Sequence, residues 1–136
     1  MQSQLGHVVY GVAAEHQPFY KDLFELLGWS VIYDSPEMCG FGDKNHASVW
    51  FGRPQKTTVN DYDGFGVNHV GIHTSEIEDV DTAAAFLRKR GIAMLFDTPR
   101  HHPEFSSPTN VYYQIMFESP DRILFEIVYT PASGTA

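Results

Sequence analysis

The sequence has little cysteine, few basic residues and no long apolar run. Cys39 is the single cysteine in 136 residues, which excludes a disulfide within the chain, and we expect its thiol to be buried and unreactive. Lys and Arg number 9 against 17 Asp and Glu, so the formal charge is −8 and no basic patch is available for phosphates. The composition therefore predicts no nucleic-acid partner.

Signals for a membrane or for export are also missing. No segment reaches the roughly 18 apolar residues of a membrane span, and the start MQSQLGHVV lacks the basic residues and the apolar run of a signal peptide. We therefore expect a cytoplasmic protein that does not contact membranes. The chain does contain 43% hydrophobic and 14% aromatic residues, which is enough for one core, and its length predicts a single domain over residues 1–136.

The order of predicted elements occurs twice. A first module, about residues 4–55, has a strand, a helix that ends at Gly28 and three strand-like runs, WSVIYDS, EMCGFGD and HASVWFG. A second module, about residues 66–131, has a helix that ends at Gly91 and the runs IAMLFDT, NVYYQIMFE and ILFEIVYT. The polar connector QKTTVNDYDGFG is predicted to be a hinge between them. Two βαβββ modules predict an α+β fold.

Each predicted helix has its own markers. Apolar residues at helical spacing predict the buried face of the first helix: Phe19, Leu23, Leu26 and Leu27. In the second helix, Ser75 and Glu78 have the spacing of a capping box, and the basic run 88–90 suits the negative end of the helix dipole. These markers predict where both helices begin and end.

Three side chains are unusual for their places in the repeat. His7 and His69 occupy equivalent places at the start of each module, and Glu126 interrupts the otherwise apolar run ILFEIVY. An ionised carboxylate inside such a strand costs several kcal/mol unless a cation or hydrogen-bond donors compensate it. Two imidazoles and a carboxylate are ligand types that divalent metals accept. The alternative is that each histidine is satisfied in the core or at an edge and that Glu126 faces water.

Further candidates lie on the strands of the second module. His73 shares a strand face with His69, so it is either an acid–base group or a packing residue at the strand end. Tyr112 and Tyr113 must face opposite sides of their strand, and the sequence leaves open which one lines the site. We take His73 and Tyr113 as the catalytic candidates.

The extra length of the second module falls in the loop that begins at Pro99. The part from Pro99 to Pro108 is predicted to be mobile and to close over a ligand, because it lacks periodic apolar residues. His101 and His102 lie in this loop, either as proton carriers or as inert surface residues. Trp50 and Phe51, in the first module, are expected in the core rather than against a ligand.

At these residues the sequence resembles the vicinal oxygen chelate superfamily, which includes glyoxalase I, extradiol dioxygenases, fosfomycin resistance enzymes and bleomycin resistance proteins. The resemblance covers nearly the whole chain through GHVVYGV, FYKDLFELLGW, NHVGIH and SPDRILFEIVY. It implies two modules that form a curved mixed sheet cup. It also implies that His7, His69 and Glu126 bind one divalent metal ion, which could be Fe, Mn, Zn, Ni or Co.

Two positions depart from the pattern of this superfamily. Aligning Pro54 with Pro131 places Val49 where glyoxalase I-type enzymes carry a fourth ligand, so that carboxylate is expected to be missing. Arg122 stands where the family commonly has glycine, in the turn before the last strand. The three-ligand arrangement resembles that of the fosfomycin-type transferases and extradiol dioxygenases.

The leading hypothesis is a mononuclear metal-dependent enzyme that acts on a small oxygenated substrate as a lyase, isomerase, transferase or dioxygenase. The alternative is a metal-free small-molecule binding protein of the bleomycin resistance type. Edge strands that need covering predict a homodimer. The residues leave the substrate, the reaction and the metal open.

Overall fold

A computed structural model describes residues 1–102 and 111–131 of the chain. The chain divides into two compact units, Met1–Thr58 and Val59–Ala136, and the boundary falls inside the predicted polar connector. Each unit contains a four-stranded mixed sheet and an α-helix. This arrangement confirms the predicted α+β fold of two repeated modules.

The N-terminal unit contains β1 (His7–Gly11), a 3-10 helix (Ala14–His16), α1 (Gln17–Leu26), β2 (Ser30–Ser35), β3 (Met38–Gly42) and β4 (Ser48–Gly52). The strand order in its sheet is β1-β4-β3-β2, with β1 parallel to β4 and the other neighbours antiparallel. A parallel pair needs a long crossover, which α1 and the β2–β3 hairpin supply here.

Helix α1 has the expected signals at both ends. Pro18 lies in its first turn, where a missing N–H costs little, and Gly28 follows its C-terminus with a φ of 84°, in the left-handed region. The buried residues of α1 are Gln17, Phe19, Tyr20, Leu23 and Phe24. The prediction for Leu26 is wrong, since this residue is 41% exposed. The buried face of α1 includes Tyr20 and Phe24 instead, and Leu26 lies outside it.

Aromatic side chains fill the core of this unit. The ring centroid of the fully buried Phe51 lies 4.2 Å from that of Tyr20, 5.2 Å from that of Tyr10 and 5.5 Å from that of Phe24. The core position predicted for Phe51 is therefore confirmed. Cys39 is 1% exposed, and burial raises the pKa of its thiol to about 11, as expected of an unreactive cysteine.

The C-terminal unit contains β5 (Val70–His73), α2 (Ile77–Lys89), β6 (Arg100–His101), β7 (Tyr113–Glu118) and β8 (Leu124–Tyr129). Its described strands follow the order β5-β8-β7-β6, with β5 parallel to β8, so this sheet repeats the order of the first. Residues of α2 that pack against the sheet include Val80, Ala83, Ala84 and Leu87. The two alanines let the helix lie close to the strands.

One predicted strand of the second module is wrong. The run IAMLFDT, residues 92–98, forms only an isolated bridge between Met94 and Phe117, and the short β6 pairs with β7 on the side away from β8. Phe96 and Asp97 both have a φ of 57°, which is incompatible with a continuous strand. The backbone turns at these two residues and delays the start of the strand.

The N-terminal cap of α2 lies one residue later than predicted. Glu76 is the capping residue, and its backbone N–H donates to the carboxylate of Asp79 at 3.1 Å. The capping box is therefore formed by Glu76 and Asp79 rather than by Ser75 and Glu78. No helix in the described part of the chain is long and apolar enough to span a membrane.

The turn between β7 and β8 shows how Arg122 is accommodated. Its φ of 57° lies in the left-handed region, where glycine avoids strain. The Oγ of Ser119 accepts from the backbone N–H of Ile123 at 3.1 Å. The Arg122 Nε lies 3.4 Å from Glu118 Oε1, and its guanidinium lies 5.3 Å from the ring centroid of Tyr62. Arg122 thus makes side-chain contacts at this turn that a glycine would lack.

Candidate functional site

Glu126 is a buried carboxylate near the middle of β8, with 6% of its surface exposed. The hydroxyl of Tyr112 donates to its Oε2 at 2.8 Å, and the amide Nε2 of Gln114 donates to the same oxygen. These two donors supply the compensation that a carboxylate in an apolar strand requires. The other oxygen, Oε1, lies 3.9 Å from the Nε2 of His69. The structure therefore brings His69 and Glu126 together.

The gap between these two side chains is slightly wider than a direct contact. A distance of 3.9 Å between His69 Nε2 and Glu126 Oε1 is too long for a hydrogen bond. Two donors that each bind one ion at about 2.1 Å lie about 3.4 Å apart in tetrahedral coordination, so this pair would have to close by about 0.5 Å to share an ion. One nitrogen and one carboxylate oxygen are suitable donors for such an ion.

Gly71 makes room for the carboxylate. It pairs with Glu126 in the register of β5 and β8, and a Cβ added at Gly71 would lie 3.0 Å from Glu126 Oε1. With a side chain at position 71, the carboxylate would have to shift by a few tenths of an ångström. The absence of a side chain at Gly71 therefore leaves space for the Glu126 carboxylate.

The two tyrosines of the NVYYQIMFE run face opposite sides of the sheet. Tyr112 contacts Glu126, whereas the hydroxyl of Tyr113 donates to Asp81 Oδ1 on α2 at 2.6 Å. Burial first, and then the accepting carboxylate, raises the pKa of each tyrosine to about 12. Both are therefore neutral at neutral pH. The structure places Tyr112, and not the catalytic candidate Tyr113, beside Glu126.

The remaining histidines of this unit have different surroundings. His73 ends β5, is exposed, and pairs in register with Val128. The Nε2 of His102 is hydrogen-bonded to the Oε1 of Gln114, and its ring meets that of Tyr112 edge-on at 5.6 Å between centroids. His102 therefore belongs to the network around Glu126. Of the segment Pro99 to Pro108, which was predicted to close over a ligand, residues 103–108 lie outside the described residues.

His7, the third predicted ligand, lies in the N-terminal unit at the start of β1. It is exposed and pairs in register with Ser48. Across residues 1–102 and 111–131, no three or more His, Cys, Asp or Glu side chains form a group that could hold a metal ion. The assignment of His7 as a ligand stays a prediction.

The strand registers align the two units. Gly71 pairs with Glu126, and Val9 pairs with Trp50. Gly71 and Val9 each follow the first histidine of their module by two residues, so the two pairs occupy equivalent places. Trp50 is therefore the counterpart of Glu126, and the alignment that used Val49 is wrong by one residue. Val49 is 5% exposed because it faces α1. A carboxylate is missing at the corrected position as well.

Trp50 lines an open depression in the N-terminal unit, with a volume of about 450 Å³, whose walls are Tyr33, Ser35, Glu37, Met38, Trp50 and Arg53. The indole N–H donates to Ser48 Oγ at 3.0 Å, and a Cβ added at Gly40 would lie 2.5 Å from the indole ring. The ring is thus held against the backbone of Gly40. The core position expected for Trp50 is wrong, because the indole lies on the face of the sheet opposite α1.

Comparison with known proteins gives matches in structure. No protein-family model matches the chain, and no curated protein matches it. A candidate glyoxalase from Bacillus halodurans is 25% identical with a TM-score of 0.77, and the match covers 94% of this chain and 96% of that one. A glyoxalase/bleomycin resistance protein from Albidiferax ferrireducens T118 is 16% identical with a TM-score of 0.73, covering 95% and 100% of the two chains. The fosfomycin resistance protein FosX from Listeria monocytogenes is 20% identical with a TM-score of 0.63, covering 93% and 91%.

The chain therefore has the glyoxalase/bleomycin resistance/dioxygenase fold, and its neighbours are consistent with the vicinal oxygen chelate superfamily. The resemblance drawn from the sequence is confirmed. Because one scaffold can host several reactions, the fold alone does not determine the activity.

Proposed function

We propose that the chain is a metal-dependent enzyme of this superfamily that acts on a small oxygenated substrate, as a lyase, isomerase, transferase or dioxygenase. His69 and Glu126 would hold one divalent ion, Fe, Mn, Zn, Ni or Co, with His7 as the third ligand. The observation that carries the proposal is the buried Glu126, whose Oε1 faces an imidazole nitrogen at 3.9 Å. When bound, the ion would act as a Lewis acid toward substrate oxygens.

The residues around Glu126 orient its carboxylate. Tyr112 and Gln114 both donate to Oε2, which leaves Oε1 toward His69. His102 is hydrogen-bonded to the carbonyl oxygen of Gln114, so the amide of Gln114 presents its NH2 group to the carboxylate. With a pKa of about 12, Tyr112 stays protonated at neutral pH and serves as a donor rather than as a base.

Proton transfer to or from the substrate is assigned to His73 in this proposal. Its ring lies on the strand that starts beside His69, on the same face as Gly71, and it is exposed to an incoming molecule. An imidazole is suited to this task because its ordinary pKa is close to neutral pH. Tyr113, the other catalytic candidate, is hydrogen-bonded to Asp81 on α2, on the side of the sheet opposite Glu126, so this proposal gives it no step.

Chelation tests the metal requirement. A metal that binds only the native state stabilises that state, so a strong chelator should lower the melting temperature and an added divalent ion should restore it. His69→Ala should lose this response, whereas His16→Ala, which changes a histidine of the 3-10 helix, should keep it. A melting temperature that chelator leaves unchanged in the wild-type protein would contradict the proposal.

A second candidate function is the binding of a flat small molecule without metal. The observation that favours it is the indole of Trp50, which lines the depression with Tyr33 at 6.2 Å between ring centroids. Arg53 and Glu37 add charges of both signs to the wall. A planar ring that enters the depression could stack against the indole.

Tryptophan fluorescence tests this second candidate, because the chain has 2 tryptophans. Trp29→Phe leaves Trp50 as the single fluorophore, so a panel of planar heteroaromatic compounds can be screened by quenching. Saturable quenching that persists under chelator and weakens in Tyr33→Ala, which removes the neighbouring ring of the depression, supports a metal-free binding protein. Quenching that requires the metal, or none with any compound, favours the enzyme.

We also propose that the protein is a cytoplasmic homodimer. Strand β2 lies at one edge of its sheet, where Val31, Ile32 and Tyr33 are 52%, 53% and 49% exposed. An apolar edge strand of this kind is normally covered in the native assembly. Light scattering coupled to gel filtration should give twice the chain mass of 15.4 kDa. A monomer at micromolar concentration would contradict the dimer.

A further inference from the structure

Asn68 connects His69 to the segment that precedes β5. Its side-chain Nδ2 donates to the backbone carbonyl of Tyr62 at 2.9 Å, and its Oδ1 lies 2.8 Å from the Nδ1 of His69. The carbonyl can only accept, so the NH2 group of Asn68 must face Tyr62 and its oxygen must face the imidazole. The orientation of the amide is thus determined by the backbone.

The protonation of the His69 ring follows from this orientation. An amide oxygen can only accept a hydrogen bond, so at 2.8 Å the Nδ1 of His69 carries the proton. In the neutral ring the lone pair then lies on Nε2, the nitrogen that faces Glu126 Oε1 at 3.9 Å. Histidine free in water prefers the opposite tautomer, with the proton on Nε2. The contact with Asn68 therefore selects the form of His69 whose Nε2 lone pair is available on the side of Glu126.

The segment that carries Asn68 is itself anchored to the β7–β8 turn. Tyr62 is 8% exposed, and its hydroxyl donates to Glu118 Oε2 at 2.7 Å. The side-chain amide of Asn60 donates to the backbone carbonyl of Arg122 at 2.7 Å. These contacts hold the Tyr62 carbonyl in place, so that it can orient Asn68.

We propose that Asn68 is a positioning residue, which holds His69 as the Nδ1–H tautomer with Nε2 directed at Glu126. Outer hydrogen bonds of this kind orient a ligating imidazole and raise its basicity. The proposal deepens the metal-dependent function proposed above and rests on it for its purpose. The tautomer itself is a property of the metal-free chain and can be measured without any metal.

The test uses two variants and a control. Asn68→Leu removes both the acceptor and the donor, whereas Asn68→Asp keeps an oxygen that can accept from Nδ1–H. Asn45→Leu, in an exposed turn of the N-terminal unit, controls for replacing an asparagine. Nitrogen-15 spectra of the imidazoles, taken on metal-free protein at about pH 8.5, above the ordinary imidazole pKa, report the tautomer of each ring. His69→Gln assigns the signal of His69.

The expected spectrum has His69 as the Nδ1–H tautomer in the wild type, in Asn68→Asp and in Asn45→Leu. In Asn68→Leu the ring should shift toward the Nε2–H form while the melting temperature changes little. Zn²⁺ titration should then show an affinity loss of roughly 10- to 100-fold in Asn68→Leu, as for other outer partners of a ligating histidine, with Asn68→Asp close to the wild type.

Two results would overturn the positioning role. One is a wild-type His69 with the proton on Nε2, and the other is an Asn68→Leu variant that keeps the Nδ1–H form. A wild-type protein with the expected tautomer but without measurable Zn²⁺ binding would instead contradict the proposed function and leave the positioning role standing. The two ideas can therefore fail separately.

Discussion

The two units have the same sheet order, yet the faces of their sheets that lie opposite the helices carry different chemistry. In the N-terminal unit Trp50 pairs with Val9, and an indole packs against the backbone of Gly40. In the C-terminal unit the matching pair is Glu126 and Gly71, and the carboxylate accepts from two neighbouring donors. One position of the repeat thus holds a large aromatic ring in one unit and a buried charge in the other.

The cores behind the two sheets also differ. Phe51, the residue after Trp50, is surrounded by aromatic rings, whereas Ile127, the residue after Glu126, lies in a core with more aliphatic and alanine side chains. The two units keep the same strand order although both the core and the opposite face of the sheet differ in residue type. Strand order depends on the pattern of buried positions and on the helix crossover, not on which side chains fill those positions. The chemistry of the site depends on a few residues of the uncovered face.

Truncating the two core counterparts should give the largest effect. Phe51→Ala removes a ring with three close aromatic neighbours and should cost about 3–5 kcal/mol, and Ile127→Ala should cost about 2–5 kcal/mol. Urea denaturation of both variants measures these losses. If Phe51→Ala cost less than about 1 kcal/mol, the aromatic cluster would not be the core of the N-terminal unit.

Adding a methyl group at Gly71, the counterpart of Val9, should give a smaller effect that is specific to metal binding. In Gly71→Ala the new Cβ would lie 3.0 Å from Glu126 Oε1, so the carboxylate must move and metal affinity should fall roughly tenfold. Val9 is 59% exposed, so Val9→Ala should change stability by less than about 0.5 kcal/mol and leave metal binding unchanged. Equal effects of both variants on metal affinity would remove the distinction between the units.

The smallest effect is confined to alkaline pH. Burial raises the pKa of Tyr10 in one unit and of Tyr112 in the other from 10.0 to about 12, and Glu126 adds to the shift of Tyr112. A raised folded-state pKa gives stability that is fully present below pH 10 and is lost as the pH rises through about 12. Absorbance titration should show that Glu126→Gln lowers the pKa of Tyr112 and leaves that of Tyr10 unchanged. A shift of both would mean that the variant loosens the whole chain.

Periodicity and turn residues predicted most of the fold. The helix stop at Gly28 and the burial of Glu126 follow from local rules, because a left-handed turn favours glycine and an apolar strand buries whatever it carries. The wrong strand at residues 92–98 arose because Phe96 and Asp97 adopt positive φ. Aspartate is enriched in this conformation but phenylalanine is not, so the apolar run outweighed the local signal.

The site was predicted less completely, since side-chain direction depends on register. Alternation showed that Tyr112 and Tyr113 diverge, but only the pairing of β7 with β8 determines which one reaches Glu126. The choice of Val49 over Trp50 has the same origin, because prolines beyond the strand ends do not preserve the alternation of the strands. His102 and Gln114 had no local signal, since their roles come from a contact between neighbouring strands.

The most direct test of a metal site at Glu126 is elemental analysis of protein purified without added metal or chelator. The wild-type protein and Glu25→Gln, which changes an exposed glutamate of α1, should contain about one divalent ion per chain. Glu126→Gln should retain the fold and lose most of the metal, because a neutral amide oxygen is a poorer ligand than a carboxylate. Wild-type protein without metal, or Glu126→Gln with a full complement, would contradict the account.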